Sequence, residues 1–363
     1  MLRELTSLAR IETLSIKTDI LAALSGGKPQ RVPWNIHHAL LPRGTLERTL
    51  RNSGLGIVEK SVPAYQVVSA QVSVEERQGF EDGRLTFHIT HHTPVGHLHT
   101  QKVIGPDGSL WVTGYPVKKP EHMRILEYIT EHTEYHPNDA AIRGRQQTLG
   151  DDGLVLCRLV RSPFQRLLIE WMGVEGVILG LAGHGAEIEH LLECMSAADE
   201  AAFAIAASSP AEALWSAENI TCLITTPKFF ERYCLPYYNR LASLAHAGGK
   251  LYGVHMDGRL RALGSLIAGS ELDFIEGFTP PPLGNLPLEE AREAWPGKAL
   301  WVNFPGCELY RGAEELVEYI ADLVKRGMAG GSFLLSLTED FPEPERTLRL
   351  VAEGVARYES QSG

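Results

Sequence analysis

The chain has 363 residues, of which 44% are hydrophobic and 22% are charged. These fractions are close to globular averages and exclude intrinsic disorder, collagen and a coiled coil as descriptions of the chain. The length exceeds the ~100–150 residues of a small single-core domain and suits one large (β/α) barrel or two compact domains. The net charge of −11, from 34 basic and 45 acidic residues, argues against a broad nucleic-acid-binding surface.

The cysteines and the apolar runs predict the compartment. Five cysteines are widely spaced and include no C-x-x-C pair, which is typical of reduced thiols in a cytosolic protein. The first 17 residues interrupt every apolar stretch with a charge, unlike a secretory signal. The most continuous apolar run, 176–183, is far shorter than the ~20 residues of a membrane span. We therefore expect a cytoplasmic protein without a membrane partner.

The predicted elements begin with a helix. Leucine, isoleucine and alanine recur at helical spacing over residues 3–25, up to the pair Gly26-Gly27. The segment RVPWNIHH at 31–38 is short and rich in β-formers, and is predicted as the first strand. From about 61 to 118, polar and apolar residues alternate around a Pro-Asp-Gly turn, which predicts an antiparallel hairpin insertion.

After this insertion, short apolar runs alternate with longer helical ones, the pattern of βαβ units. The runs lie at 154–160, 212–220, 250–256, 272–278, 299–304 and 332–337. Together with 31–38 and a further strand placed near 65–72, they make eight. Eight such strands favour a closed (β/α)₈ barrel, the alternative being a doubly wound open sheet. Since no repeat or linker divides the chain, residues 1–363 are predicted to form a single barrel domain.

In such barrels the chemistry lies at the carboxyl ends of the strands and in the loops that follow them. Polar side chains end or follow five successive predicted strands, so they are expected to converge on one mouth. They are Glu218, Asn219, His255, Asp257, Glu276, Asn303 and Glu339. One of His37 and His38 should join them, because neighbours on a strand face opposite sides.

Two patterns within this set suggest metal binding. His255 and Asp257 are two apart on a strand, so with Glu218, Glu276 or Glu339 they form an N/O set able to hold Zn²⁺. The alternative is that Asp257 caps the next helix and His255 hydrogen-bonds a neighbour. The H-x-H sequence at 97–99 would also share a strand face, but no carboxylate of fitting spacing follows it, which favours a solvent-facing role.

Aromatic residues gather near the same strand ends. They are Trp34, Trp215, Trp301, Phe278 and Phe304. For any one of them, packing in the barrel core is the favoured interpretation, although as a group they suit a flat apolar substrate or cofactor. Fingerprints of NAD binding, of a P-loop, of an α/β-hydrolase nucleophile and of an H-E-x-x-H metalloprotease are all absent from the sequence.

Three segments resemble the uroporphyrinogen decarboxylase superfamily, in its branch of corrinoid-dependent methyltransferases. They are PKFFERYCLPYYNRLASLAHAGGKLYGVHMDG at 227–258, DFIEGFTPPPLGNLPLEEAREAW at 273–295 and ALWVNFPG at 299–306. The resemblance covers about residues 200–350, and extends to TPVGHLHT at 93–100 and loosely to 31–38. It implies a (β/α)₈ barrel.

The departures from the superfamily pattern concern its chemistry. True decarboxylases have R-P-P-V-W-x-M-R-Q-A-G-R after the first strand, whereas this chain keeps Arg31, Pro33 and Trp34 but lacks the second, substrate-gripping arginine. The superfamily's zinc methyltransferases end the fifth strand in H-x-C-G and place a second cysteine after the last strand. This chain keeps the histidine as His255 but has Asp257 and Glu339 near the two cysteine positions.

The loss of both thiolates implies a methyl donor attached through oxygen, because thiolate-rich zinc suits a thiol substrate. The resemblance then points to members that demethylate methoxylated aromatic compounds and pass the methyl group to Co(I) of a separate corrinoid protein. In this interpretation His255, with Glu218 or Asp257, holds Zn²⁺ or forms a proton-donating network, and Glu339 assists as acid or ligand. Contacts to the substrate are expected from Trp34, His37, Trp215, Asn219, Glu276, Phe278 and Asn303.

Other functions are left open. A methylcobalamin-dependent methyltransferase to a thiol or folate would use Cys307 as a soft ligand, and a tetrapyrrole decarboxylase or a non-catalytic corrinoid-binding scaffold would keep the barrel. The chain lacks the D-x-H-x-x-G motif by which corrinoid proteins bind cobalt, so the cobalamin is expected on a partner protein. The oligomeric state is open, a homodimer included.

Overall fold

Eight parallel strands form a closed barrel in a computed structural model that describes residues 15–105, 108–339 and 342–362. With all strands numbered in chain order, the barrel strands are β1 (Trp34–Ile36), β2 (Leu55–Glu59), β9 (Gly153–Leu159), β10 (Ala213–Ser216), β11 (Leu251–His255), β12 (Phe274–Phe278), β13 (Ala299–Asn303) and β14 (Phe333–Leu337). Around the barrel they run in chain order, and β1 pairs with β14 to close it. The predicted α/β barrel is confirmed.

The helices that surround the barrel alternate with its strands. They are α1 (Ile16–Leu24), α2 (Thr45–Asn52), α3 (Pro120–Glu131), α4 (Asp139–Leu149), α5 (Pro163–Arg166), α6 (Gly173–Gly183), α7 (Gly185–Ser208), α8 (Pro227–Phe229), α9 (Leu235–Ala247), α10 (Gly264–Ala268), α11 (Leu288–Ala294), α12 (Ala313–Met328) and α13 (Pro344–Ser362). Two π-helical turns, Leu167–Trp171 and Phe230–Cys234, follow α5 and α8 directly. None of the helices in the described ranges is long and apolar enough to cross a bilayer.

The leading helix α1 packs against the barrel core. Ile16, Ile20 and Leu24 recur every four residues and are buried in one cluster with barrel residues such as Leu154 and Leu156. Ser15 caps this helix by accepting a hydrogen bond from the backbone N–H of Thr18. The remainder of the predicted helix, 3–14, lies outside the described residues.

The second barrel strand differs from the prediction. Residues near 65–72 were expected to supply it, but Tyr65–Ser69 forms β3, which pairs antiparallel with β8 (Thr133–Pro137) outside the barrel. The barrel uses β2 instead, where Gly56 weakens the β-strand pattern of the sequence. The glycine is needed there, because a Cβ at Gly56 would lie 2.8 Å from Cδ1 of Ile20 on α1.

The insertion between β2 and β9 is larger than a single hairpin. Four antiparallel strands form its sheet: β4 (Ser73–Glu81), β5 (Arg84–Thr93), β6 (Gly96–Ile104) and β7 (Leu110–Gly114). His97 and His99, predicted to share a strand face, both lie on β6 and are exposed. The expected antiparallel insertion within 61–118 is therefore confirmed, and helix α3 leads from it back toward the barrel.

Candidate functional site

A cavity of about 400 Å³ opens at the carboxyl ends of the barrel strands. Its lining includes most of the residues selected from the sequence. They are His37, Trp215, Asn219, His255, Asp257, Glu276, Asn303 and Glu339, with Lys60, Ala217, Thr279, Leu283 and Thr338 in addition. Its size is that of a small-molecule site.

Glu276 lies at the centre of the charged groups in this cavity. Its side chain on β12 is fully buried, with Lys60 Nζ 2.5 Å from Oε1 and Trp215 Nε1 donating to Oε2 at 2.9 Å. Burial alone would raise the pKa of Glu276, but the positive charges of Lys60 and His255 outweigh it and hold the pKa well below its usual range. Glu276 is therefore a carboxylate at any ordinary pH.

His255 bridges two carboxylates. Its Nδ1 lies 2.5 Å from Oε2 of Glu276, and its Nε2 lies 3.4 Å from Oδ2 of Asp257. Burial alone would lower the pKa of His255, but the charge of Glu276 and the hydrogen bonds with Asp257 and Glu276 prevail and raise it to about 9. The ring is thus an imidazolium at neutral pH.

A glycine makes room for this ring. Gly277 has a φ of +79°, in the left-handed region, and a Cβ there would lie 2.5 Å from Cε1 of His255. The strand register shifts between Glu276 and Phe278, so Gly277 forms an irregularity in β12 beside the histidine. Any larger residue at Gly277 would displace the His255 ring from its present position.

Lys60 is a charged residue of the cavity that sequence reasoning missed. It directly follows β2, and its Nζ lies 5.0 Å from the ring centre of Trp215 and 4.7 Å from that of Trp301. Both rings lie within cation–π distance of the ammonium group. The signal in the sequence was the position of Lys60 directly after a barrel strand. The prediction placed that strand near 65–72, so the signal was not recognised.

Of the two adjacent histidines, His37 lines the cavity and His38 does not. This settles the choice that the sequence left open. Burial, followed by the charges of His38 and Lys60, lowers the pKa of His37 to about 4. The cavity therefore contains one neutral imidazole, on His37, and one protonated imidazole, on His255.

Two asparagines offer polar groups to a ligand. Asn219 is exposed and has a φ of +55°, a left-handed conformation that asparagine tolerates better than most residues. Asn303 has a buried Oδ1 without a hydrogen-bond partner among the described residues. A buried acceptor without a partner is costly, so Asn303 is suited to accept a hydrogen bond from a bound molecule.

Glu339 lies at the rim, where it is exposed. A Cβ at Gly306 would meet its Oε2 at 2.0 Å, so the carboxylate rests directly against the Gly306 backbone. Cys307, the soft ligand of the alternative thiol or folate reaction, is exposed and is not part of the cavity lining. The rim thus offers an oxygen group rather than a thiol.

Glu218 is not in the cavity, contrary to its predicted catalytic role. It is fully buried, where Oε1 accepts from Ser162 N at 2.7 Å and Oε2 accepts from Ser162 Oγ at 2.6 Å and Tyr238 OH at 2.8 Å. Burial raises the pKa of Glu218 against the opposing effect of these hydrogen bonds. These contacts link the end of β10 to α5 and α9, which is a structural role.

Trp34 and Phe278 also fall outside the cavity, so of the three aromatic residues expected to contact the substrate only Trp215 lines it. Trp34 is fully buried on β1, on the face opposite Asn35 and His37. Phe278 is 1% exposed and packs edge-on against Trp295, with ring centres 5.8 Å apart. Both aromatic side chains are core residues.

Of the three predicted zinc ligands, His255 and Asp257 lie together in the cavity, but Glu218 does not join them. Glu218 is bound by Ser162 and Tyr238, and both ring nitrogens of His255 face carboxylates. In the part of the chain that the structure describes, no group of three His, Cys, Asp or Glu ligand atoms within 4.8 Å of one another includes a residue of this cavity. The arrangement does not fit zinc, whereas it suits a proton donor held between carboxylates.

The comparisons with known proteins concern the fold. No protein-family model matches the chain, and no curated protein does. A solved methyltransferase from Methanosarcina mazei is similar, with a TM-score of 0.59 and 13% identity over 95% of this chain and 99% of that one. The pneumococcal virulence factor StrH gives a TM-score of 0.39 and 10% identity over 92% and 84% of the two chains. At 13% identity, the similarity to the methyltransferase structure supports the closed barrel fold alone. The TM-score of 0.39 for StrH is too low to support the fold.

Proposed function

We propose that this protein is a methyltransferase that takes a methyl group from an O-methyl donor, a methoxylated aromatic compound, and passes it to the Co(I) corrinoid of a separate protein. The observation that carries the proposal is the contact of His255 Nδ1 with the buried carboxylate of Glu276 inside a small-molecule cavity, which raises the pKa of His255 to about 9. The likeness to a methyltransferase barrel is consistent with it.

An aryl methyl ether resists cleavage because phenolate is a poor leaving group. The carbon–oxygen bond breaks with its electron pair on oxygen, and that oxygen takes the proton from His255 Nε2. The methyl carbon forms its new bond with an electron pair of the reduced corrinoid. Glu276 fixes the ring through Nδ1 and stabilises the imidazolium before transfer, while Lys60 and Trp215 hold Glu276 in place.

The size of the cavity supports different positions for the two proposed substrates. About 400 Å³ suits a single substituted ring beside Trp215, whereas a corrinoid macrocycle is much larger. The corrinoid would therefore stay at the mouth, delivered by its partner. Asn219, Asn303 and the neutral His37 would orient the aromatic donor, and Glu339 at the rim would lie between the two substrates.

The test is a methyl-transfer assay with the full chain, a reduced corrinoid protein and a panel of methoxybenzoates, methanol and methylamines. We expect the methylated-corrinoid absorbance to grow with a methoxybenzoate, together with an equal amount of the phenol. H255Q should lower kcat by about 10²–10⁴-fold. H246Q is the matched control, because His246 pairs with Asp273 outside the cavity, and it should change kcat less than about twofold.

Three outcomes would overturn the proposal. They are methyl transfer from methylamines alone, demethylation of methylcobalamin by a thiol or folate, and no transfer in either direction by the folded chain. A pH profile adds a second readout. Because the acid form of His255 is required, kcat should hold through neutral pH and fall above about pH 9.

A further inference from the structure

Three side chains of the types that bind metal ions lie close together outside the cavity, where α3 packs against α7. Glu127 is on α3, and His190 and Cys194 are on α7. Nε2 of His190 lies 2.8 Å from Oε1 of Glu127, and Cys194 Sγ lies 3.6 Å from each of these two atoms. One nitrogen, one oxygen and one sulfur therefore meet at a single point between two helices.

The spacing of these atoms fits tetrahedral zinc. Zinc–ligand bonds of about 2.0–2.3 Å place nitrogen and oxygen ligands about 3.3 Å apart and sulfur about 3.5 Å from either. Both sulfur separations agree to about a tenth of an ångström, and the His190–Glu127 pair would have to open by about half an ångström. The His190 side chain is 63% exposed, so it has room to make that movement.

The chain holds this group in place from two sides. His190 and Cys194 are four residues apart on α7 and so share one face of the helix. Glu127 comes from the facing helix, whose buried residues Met123 and Leu126 anchor it in the core. The three ligands are therefore largely positioned before a metal arrives, which lowers the entropic cost of binding.

The local charge favours a cation. The carboxylates of Glu127, Glu131 and Glu193 lie close enough to interact electrostatically with Cys194. A divalent ion would offset this negative charge and release the thiol proton on binding. Glu131, one helical turn after Glu127, adds to the negative charge beside these ligands.

We infer that α3 and α7 are joined by a Zn²⁺ ion bound to Glu127, His190 and Cys194. Helix α3 also contacts β5 and β6 of the inserted sheet. The ion would therefore tie the insertion to a helix of the barrel wall, far from the charged residues of the cavity. This inference is independent of the reaction proposed above.

The probe is Co²⁺ added to the full chain after treatment with a chelator. We expect one Co²⁺ per chain, with the near-ultraviolet charge-transfer band of a cobalt–thiolate bond, and displacement of the Co²⁺ by Zn²⁺. C194S should abolish the band, and H190Q and E127Q should weaken binding by at least about tenfold. C307S is the matched control, because Cys307 is exposed and belongs to no such ligand group within the described ranges.

Several results would overturn the inference. The inference is wrong if the cobalt–thiolate band does not appear with one Co²⁺ per chain. It is also wrong if the band persists in C194S or is lost in C307S. Zn²⁺ should also raise the Tm of the unaltered chain and not that of H190Q or E127Q. An equal rise in all of these proteins would place the ion elsewhere, for example among the histidines of the inserted sheet.

Discussion

His255 and Glu276 are direct neighbours across strands β11 and β12, and Nδ1 of the histidine lies 2.5 Å from Oε2 of the glutamate. Lys60 lies at the other oxygen of the same carboxylate, and Asp257 lies 3.4 Å from Nε2 of the histidine. Charges therefore alternate along a chain of four side chains, from ammonium to carboxylate to imidazolium to carboxylate. Each buried charge has an oppositely charged neighbour, as such groups require.

Replacing Glu276 by glutamine should change the titration of His255. Without the carboxylate charge, burial is left as the main influence, so the pKa of His255 should fall from about 9 to its ordinary 6.5 or below. Histidine ring signals followed by NMR against pH measure this directly. The His255 signal is assigned by its disappearance in H255Q, and that of the exposed His246 by its disappearance in H246Q. A histidine at this position that titrates near 6.5 in the unaltered chain would contradict the interpretation.

Replacing Lys60 by methionine should destabilise the fold. The variant leaves the buried carboxylate of Glu276 with one partner fewer, and breaking a buried pair in this way costs about 3–5 kcal/mol. K17M is the matched control, because Lys17 and Glu212 form a partly exposed pair worth about 0–1 kcal/mol. Urea unfolding measures both free energies.

A double variant measures the interaction between Lys60 and Glu276 apart from their contacts with other residues. K60M/E276Q should lose less free energy of unfolding than the sum of the two single variants, because both charges leave together. Simple additivity would mean that Lys60 and Glu276 do not stabilise each other, despite the 2.5 Å separation of Nζ and Oε1.

The sequence predicted the site best where it lies on regular strands. His255, Glu276 and Asn303 end or complete strongly apolar runs, so the period of two and the barrel rule together placed them in the cavity. Lys60 was missed because its strand contains Gly56, so the more typical β-strand pattern near 65–72 was preferred.

The incorrect placements have a different cause. The period of two predicts which way a side chain points only where the strand is regular. Phe278 is two residues from Glu276 and should share its face, but the irregularity at Gly277 turns the ring toward Trp295. Glu218 lies two residues beyond the end of β10, where no strand period applies, and its carboxylate turns to Ser162. A single sequence does not show either departure.

The stability of the protein should depend on pH through His255. Its pKa is raised on folding, from an ordinary 6.5 to about 9, so its contribution is fully present below about pH 6.5 and is lost as the pH rises through 9. The contribution is on the order of 3 kcal/mol. Free energies of unfolding between pH 6 and 10 should therefore decline in the unaltered chain and change less in H255Q. Equal slopes in the two proteins would contradict this prediction.

E218Q tests whether Glu218 is structural. Glutamine keeps one acceptor oxygen, but its NH₂ group then faces a donor of Ser162 or Tyr238. The unsatisfied donors cost about 1–3 kcal/mol of stability. Since Glu218 does not line the cavity, kcat should change by less than about threefold at a temperature where the variant is folded. Thermal unfolding and the methyl-transfer assay measure the two effects. A loss of kcat comparable to that of H255Q, with an unchanged Tm, would return Glu218 to the catalytic residues.

Asn303 should contribute to binding of the donor and not to the proton transfer. Its buried Oδ1 has no partner among the described residues and its side chain lines the cavity, so a bound ring bearing a hydroxyl or other donor group can satisfy it. Removing one such hydrogen bond in N303A should raise the Kd of a hydroxylated methoxybenzoate by about 3- to 10-fold, since the net value is about 0.5–1.5 kcal/mol. Calorimetry without corrinoid measures this Kd apart from any turnover. N239A is the matched control, because Oδ1 of Asn239 already accepts from the backbone N–H of Glu271 outside the cavity, and an equal loss of affinity in both variants would remove Asn303 from the donor-binding residues.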